Sequence, residues 1–177
     1  METLLHILIF ICLAFGMSDG FLIIHEQKQQ CIYESKKTAH VGTCNFTNIN
    51  QQWRWMNEEK LLHVKSGQCL SITRSYAAHS RRAIIANCSE APNWTCHSKE
   101  GLLEVKNSSL FLKKQGSKVV VKMGRKYPHS WKKMEINEKG EPIHENLCQS
   151  NGKIPLTFVS CHVSSIQQNN IIEFAGE

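Results

Sequence analysis

Aspartate is nearly missing, since Asp19 is the only one in 177 residues. Without more of them, a Ser-His-Asp relay and the acidic loops that hold calcium have no carboxylates to build on. No Cys-x-x-Cys pair occurs, which argues against zinc knuckles and thioredoxin-type redox chemistry. The nine histidines show neither HExxH nor His-x-His spacing, so they read as solvated or hydrogen-bonded side chains. No glutamate pair sits in a recognisable acid/base arrangement. No stretch of ten or more residues carries helical periodicity, and nothing beyond Phe15 is apolar enough to span a bilayer. What these absences leave is an all-β chain that binds without catalysing and needs no metal or cofactor.

The ends point to export. Leu4 to Phe15 form an apolar run of signal-peptide length, followed by the small residues Gly16, Ser18 and Gly20, so residues 1–20 are expected to be a cleaved signal. Cleavage removes Glu2 and Asp19, which takes the net charge from +6 to 21 − 13 = +8. Four Asn-x-Ser/Thr acceptors follow, at Asn45, Asn87, Asn93 and Asn107, the pattern of an N-glycoprotein. Asn87 stands beside a disulfide cysteine and Asn93 beside a core Trp, which makes those two the poorer acceptors.

A faint repeat organises the rest. Leu22-Ile23-Ile24-His25, Leu61-Leu62-His63-Val64 and Leu102-Leu103-Glu104-Val105 open three segments, spaced 39 and 41 residues apart. Taken to close on Trp55, Trp94 and Trp131, the segments are units of about 40 residues, each too small to bury its apolar face alone. One large aromatic per unit at a fixed phase is how a symmetric core is filled, so these three tryptophans are expected inside. Trp53 completes a Gln-x-Trp with Gln51, but the spacing selects Trp55. Short alternating runs such as Gln68-Cys69-Leu70-Ser71-Ile72 and Lys118-Val119-Val120-Val121-Lys122 read as strands.

The same register pairs the cysteines. Cys31 and Cys69 occupy matching places, as do Cys44 and Cys88, giving two staples within units and leaving Cys96–Cys148 as a clasp across the third. Disulfides suit an exported chain, and Cys161 is left over. Residues 149–177 break the repeat and are expected to form an irregular tail. The strongest charge signal lies in the third unit. Between Lys113 and Lys133 there are eight basic residues and no acidic one, an arrangement that attracts sulfate or phosphate. Nucleic acid is not the expected partner, because interleaved stacking aromatics are sparse.

Cys31-Ile32, Trp53-Arg54-Trp55, Cys69-Leu70, Ala86-Asn87-Cys88, Trp94-Thr95-Cys96, Lys126-Tyr127 and Asn146-Leu147-Cys148 fall in an order that resembles the N-terminal cysteine-rich domain of the mannose receptor family. That is a ricin B-type β-trefoil lectin domain, and Arg125 to Trp131 reads closest to the secretory phospholipase A2 receptor branch. The resemblance covers 21–148. It implies a β-trefoil of three four-strand units, the same three disulfides, and a secreted lectin-like domain. In the mannose receptor, the third lobe binds sulfated N-acetylgalactosamine through backbone amides of a glycine-bearing loop and a stacking Trp. The matching loop here holds Gln115, Gly116, Ser117 and Lys118. The stacking position falls on Pro128, next to Tyr127, which would serve as the platform. Sulfated or other anionic glycans, free or on glycoproteins, are therefore the expected ligands. The phospholipase A2 receptor branch implies the alternative: a protein-interaction module, or a soluble decoy, contacting collagen or a secreted phospholipase. Receptors of the family continue into further modules and a membrane anchor, so this chain is expected to be a stand-alone or truncated form.

Overall fold

Among the described residues twelve strands fall into three sets of four, and a thirteenth follows them. The computed structural model describes residues 20–57, 59–73, 80–124 and 130–149. Unit one holds β1 (Leu22–His25), β2 (Gln30–Ser35), β3 (Thr38–Thr43) and β4 (Trp53–Met56). Unit two holds β5 (Lys60–His63), β6 (Gln68–Ile72), β7 (Ser80–Ala86) and β8 (Trp94–His97). Unit three holds β9 (Leu102–Val105), β10 (Leu110–Gln115), β11 (Lys118–Met123) and β12 (Trp131–Ile136), and β13 (Pro142–Asn146) lies against β12. The three apolar openings of the sequence repeat are thus β1, β5 and β9. Among the described residues no helix is long and apolar enough to cross a membrane.

Six strands close a barrel. Between units, β1 pairs with β12, β4 with β5 and β8 with β9. Within units the ring is completed at equivalent points: Phe21 and Trp53 exchange backbone bonds of 2.8 and 2.9 Å. The amides of Trp94 and Trp131 donate to the carbonyls of Glu59 and Gly101, each at 2.7 Å. The hairpins β2–β3, β6–β7 and β10–β11 cap this barrel. Their second strands meet in a triangle, β3 with β7, β7 with β11 and β11 with β3. That closure makes the fold a β-trefoil.

Alternation sorts the side chains. Ile32, Ala39, Leu70, Ala83, Leu112 and Val119 point inward from the cap and are wholly buried with the barrel residues Ile23, Leu61 and Leu103. The residues between them on each hairpin strand face away from that core. Two-residue turns close two of the hairpins. Lys36 and Lys37 take φ of 50° and 59°, and Gly116 leads its turn at φ 60°.

The repeat tryptophans need one correction. Trp53, Trp94 and Trp131 are the equivalent residues, each buried, with the indole N–H donating to a hairpin carbonyl. The acceptors are Ile32 at 3.1 Å, Leu70 at 3.1 Å and Leu112 at 3.0 Å. Trp55 lies two residues further along the same face of β4, is partly buried, packs on the core margin and donates to the Leu147 carbonyl at 2.7 Å. Equal spacing selected it because the connections are unequal: nine residues separate β3 from β4, but seven separate β7 from β8. The Gln51-Gln52-Trp53 triplet marked the right residue.

Cys31–Cys44, Cys69–Cys88 and Cys96–Cys148 are bridged. The first two join the second strand of a unit to a residue one or two positions past its third strand, and Phe111 fills the place of Cys31 and Cys69 in unit three. The third bridge holds β8 to the chain beyond β13. Loops of 13, 19 and 52 residues correspond to about 3, 3 and 4 kcal/mol of unfolded-state restriction. The expected signal segment, apart from Gly20, and the tail, apart from Gln149, lie outside the described residues, as do Tyr127 and Cys161.

Candidate functional site

The turn between β10 and β11 is built like an anion cradle. Gln115, Gly116, Ser117 and Lys118 are all exposed. The Ser117 carbonyl accepts from the Val41 amide at 2.9 Å, fastening the turn to β3 of unit one. The Gly116 carbonyl accepts from Lys114 Nζ at 2.8 Å. With both carbonyls covered, the Gly116 and Ser117 amides remain without a partner among the described residues. A Cβ at Gly116 would meet nothing within 4 Å, so the turn is open to an approaching group. Adjacent unpaired N–H groups beside an ammonium are suited to an oxyanion.

Strand register sets the surroundings of that turn. Lys118 pairs with Gln115 on one side and His40 on the other, and His40 pairs with Tyr33, on whose ring it stacks at 5.6 Å. Two residues along β11, Val120 lies between Lys113 and Arg82 in the register. Burial pushes the Lys113 ammonium below the ordinary lysine range, and the nearby Lys122 charge adds to the effect. Arg82, His40 and Tyr33 escaped the sequence reading, because only the triangle of β3, β7 and β11 brings units one and two against unit three.

The eight-residue basic run does not act as one patch. Lys132 turns to Glu26 at 2.5 Å, and Lys133 is buried between Glu145 at 2.9 Å and Glu135 at 3.2 Å. Both lie on β12, in the barrel wall, whereas Lys113, Lys114, Lys118 and Lys122 lie on the cap hairpin. Arg125 and Lys126 fall outside the described residues. Lys132 and then Ser130 hold the Glu26 carboxyl below the usual range. A cleft of about 390 Å³ opens there, lined among others by Glu26, Gln27, Ser130, Lys132, His144 and Asn146. Glu26 and Lys132 are paired with each other there, whereas Lys99 and Glu100, also in the lining, have no ion pair among the described residues. Among the described residues no group of three or more His, Cys, Asp or Glu could hold a metal.

The sequons differ in access. Asn45, Asn87 and Asn107 are exposed. Asn93 is half-buried, and its amide nitrogen, the atom a glycan would occupy, donates to Glu59 Oε2 at 2.5 Å.

Residues 17–149 match a family model described as the MRC2-like N-terminal cysteine-rich domain. Two curated relatives are named lymphocyte antigen 75. The one from Mus musculus is 28% identical over 79 residues, covering 45% of this chain and 4% of the relative. The one from Mesocricetus auratus is 29% identical over 118 residues, covering 59% of this chain and 7% of the relative. The chain therefore spans a small fraction of either relative's length. Among solved structures, a Macrolepiota procera ricin B-like lectin in complex with lactose superposes with a TM-score of 0.54 at 16% identity, over 73% of this chain and 96% of that one. The mdaA-1 domain superposes with a TM-score of 0.53 at 16% identity, over 67% and 94%. At such identities the likeness establishes the fold.

Proposed function

The chain belongs to the family of MRC2-like N-terminal cysteine-rich domains, and from that premise we propose that it is an exported carbohydrate-binding domain for sulfated or otherwise anionic glycans. It binds without catalysing. The reading is carried by one observation: the β10–β11 turn presents two unpaired amides and the Lys118 ammonium, with both turn carbonyls covered. A sulfate has no proton to give, so it accepts from these donors and meets no carboxylate on the strands beside them. Gln115 adds a neutral donor and acceptor for a neighbouring hydroxyl. Three disulfides and the accessible sequons Asn45, Asn87 and Asn107 suit life outside the cell.

An array of matched sulfated and unsulfated glycans tests the proposal. Binding should require sulfate, weaken as salt is raised, and fall at least fivefold in Lys118→Ala. Equal retention of the unsulfated partners refutes it. Silence on every glycan would move the function to the alternative, a protein-interaction surface for an acidic partner, with collagen and a secreted phospholipase the first to try.

A further inference from the structure

The barrel has three equivalent junctions, and the small residues at one of them leave a cleft. At each, the residue ahead of the core tryptophan accepts an amide from the chain just past a barrel strand. Val64 donates to Gln52, Lys106 to Asn93 and Glu26 to Ser130, at 3.0, 2.8 and 3.0 Å. The tryptophan amides in turn donate to the carbonyls of Phe21, Glu59 and Gly101. Large side chains occupy the first two junctions. Gln52 is buried with its amide on the Phe46 carbonyl, and Glu59 binds both Asn93 and Lys106. Ser130 and Gly101 take those places at the third. Gly101 has φ 64°, and a Cβ there would lie 3.0 Å from the Trp131 carbonyl oxygen, so no side chain grows into the space. The cleft of about 390 Å³ beside Glu26 results, and β13, outside the three sets of four, walls it with His144 and Asn146.

Its floor is tied together while part of its lining is uncommitted. Ser130 donates to Glu26 at 2.6 Å and accepts from Gln27 at 2.9 Å, Lys132 pairs with Glu26, and Asn146 donates to the Ser98 carbonyl at 2.8 Å. The side chains of Lys99, Glu100 and His144 line the same cleft and make no hydrogen bond or ion pair among the described residues. Three carboxylates (Glu26, Glu100, Glu145) and two ammonium groups (Lys99, Lys132) line it, a balance of 2 − 3 = −1 with His144 neutral. An anion gains nothing from that balance, unlike at the β10–β11 turn, and a cation meets Lys99 and Lys132 as well as the carboxylates. Hydroxyl groups both donate and accept, so neighbouring hydroxyls on one ring can give a proton to Glu100 and take one from Lys99. We propose that this cleft is a second binding site of the domain, for an uncharged saccharide, and it stands independently of the turn. Its volume lies near the low end of the roughly 300–1,000 Å³ of small-ligand pockets, which suits a single sugar residue better than a chain. Trp131 is wholly buried behind the cleft and offers no stacking face, so binding should be weak, in the millimolar range.

Amide chemical shifts test this directly, with isotope-labelled protein titrated with methyl α-mannoside, methyl β-galactoside, N-acetylglucosamine and, as the anionic control, glucuronate. At least one uncharged sugar should move the amides of Gln27, Lys99, Glu100 and Gly101 saturably, with the same affinity at low and high salt. Lys99→Ala and Glu100→Ala should each weaken that sugar about fivefold or more, since each removes a charged partner. Lys118→Ala, at the β10–β11 turn, should leave it unchanged, so loss of the turn site and loss of this one are told apart. Unmoved amides with all three uncharged sugars at tens of millimolar would overturn the proposal. So would glucuronate binding more tightly than any of them, or unchanged affinity in both Lys99→Ala and Glu100→Ala. Lys99 is exposed and Glu100 half-buried on the β8–β9 turn, outside the core, so both variants are expected to fold, and an unchanged unfolding midpoint verifies that.

Discussion

Replacing each tryptophan by phenylalanine discriminates between the two possible registers of the repeat. Trp53 is wholly buried and its indole N–H is bonded to the Ile32 carbonyl at 3.1 Å. The Trp53→Phe variant loses that bond, about 1 kcal/mol net, and the smaller ring leaves a void in an enclosed site, so the total should be about 2–4 kcal/mol. Trp94→Phe and Trp131→Phe remove equivalent bonds to Leu70 and Leu112 and should cost the same within about 1 kcal/mol. Trp55 is only partly buried at the core margin, where its surroundings can relax, so Trp55→Phe should cost about 1 kcal/mol. Guanidinium unfolding with the disulfides intact reads these differences as midpoint shifts at constant m. At an m of about 3 kcal/mol per molar, a 3 kcal/mol loss moves the midpoint by about 1 M. A Trp55→Phe loss equal to or larger than the Trp53→Phe loss would refute the assignment of Trp53 to the threefold core.

Acid should weaken the fold through His63, which is buried against the Trp53 ring at 5.1 Å with Nε2 unpartnered among the described residues. Burial lowers its pKa below the ordinary 6.5, so the folded state holds fewer protons than the unfolded. Stability is full above pH 6.5 and declines as pH falls from there toward the folded-state pKa, by at most about 1.4 kcal/mol per pH unit. His63→Val, which installs the residue unit three has at Val105, should flatten that slope in pH-dependent unfolding, and an unchanged slope would clear His63 of the effect. Replacing Cys96 and Cys148 together by serine should cost about 4 kcal/mol against about 3 kcal/mol for the Cys31 and Cys44 pair, measured by the same unfolding assay. Protein made in a secretory cell should carry N-glycans at Asn45, Asn87 and Asn107 and none at Asn93, whose amide is held by Glu59; intact mass and glycopeptide mapping would show a fourth glycan if that is mistaken.

Local pattern was enough for the strands and for much of the repeat. The apolar openings at Leu22, Leu61 and Leu102 became β1, β5 and β9 because alternation over a few residues is a property of the segment itself. The cysteine pairing was legible for a similar reason, since Cys31 and Cys69 recur at one phase of homologous hairpins. Choosing between Trp53 and Trp55 required the lengths of the connecting loops, which spacing averages away. The charge pattern shows the same limit. A run from Lys113 to Lys133 looks continuous along the chain, yet β12 carries Lys132 and Lys133 into ion pairs with Glu26, Glu135 and Glu145. Conversely, His40 and Arg82 are remote in sequence from β11, and they stand beside Lys118 and Val120 only because β11 pairs with both β3 and β7. Sequence by itself determined that three alternating units would meet around one core; the tertiary pairing alone decided which charges share a face, because electrostatic fields follow distance through space and strand pairing sets that distance.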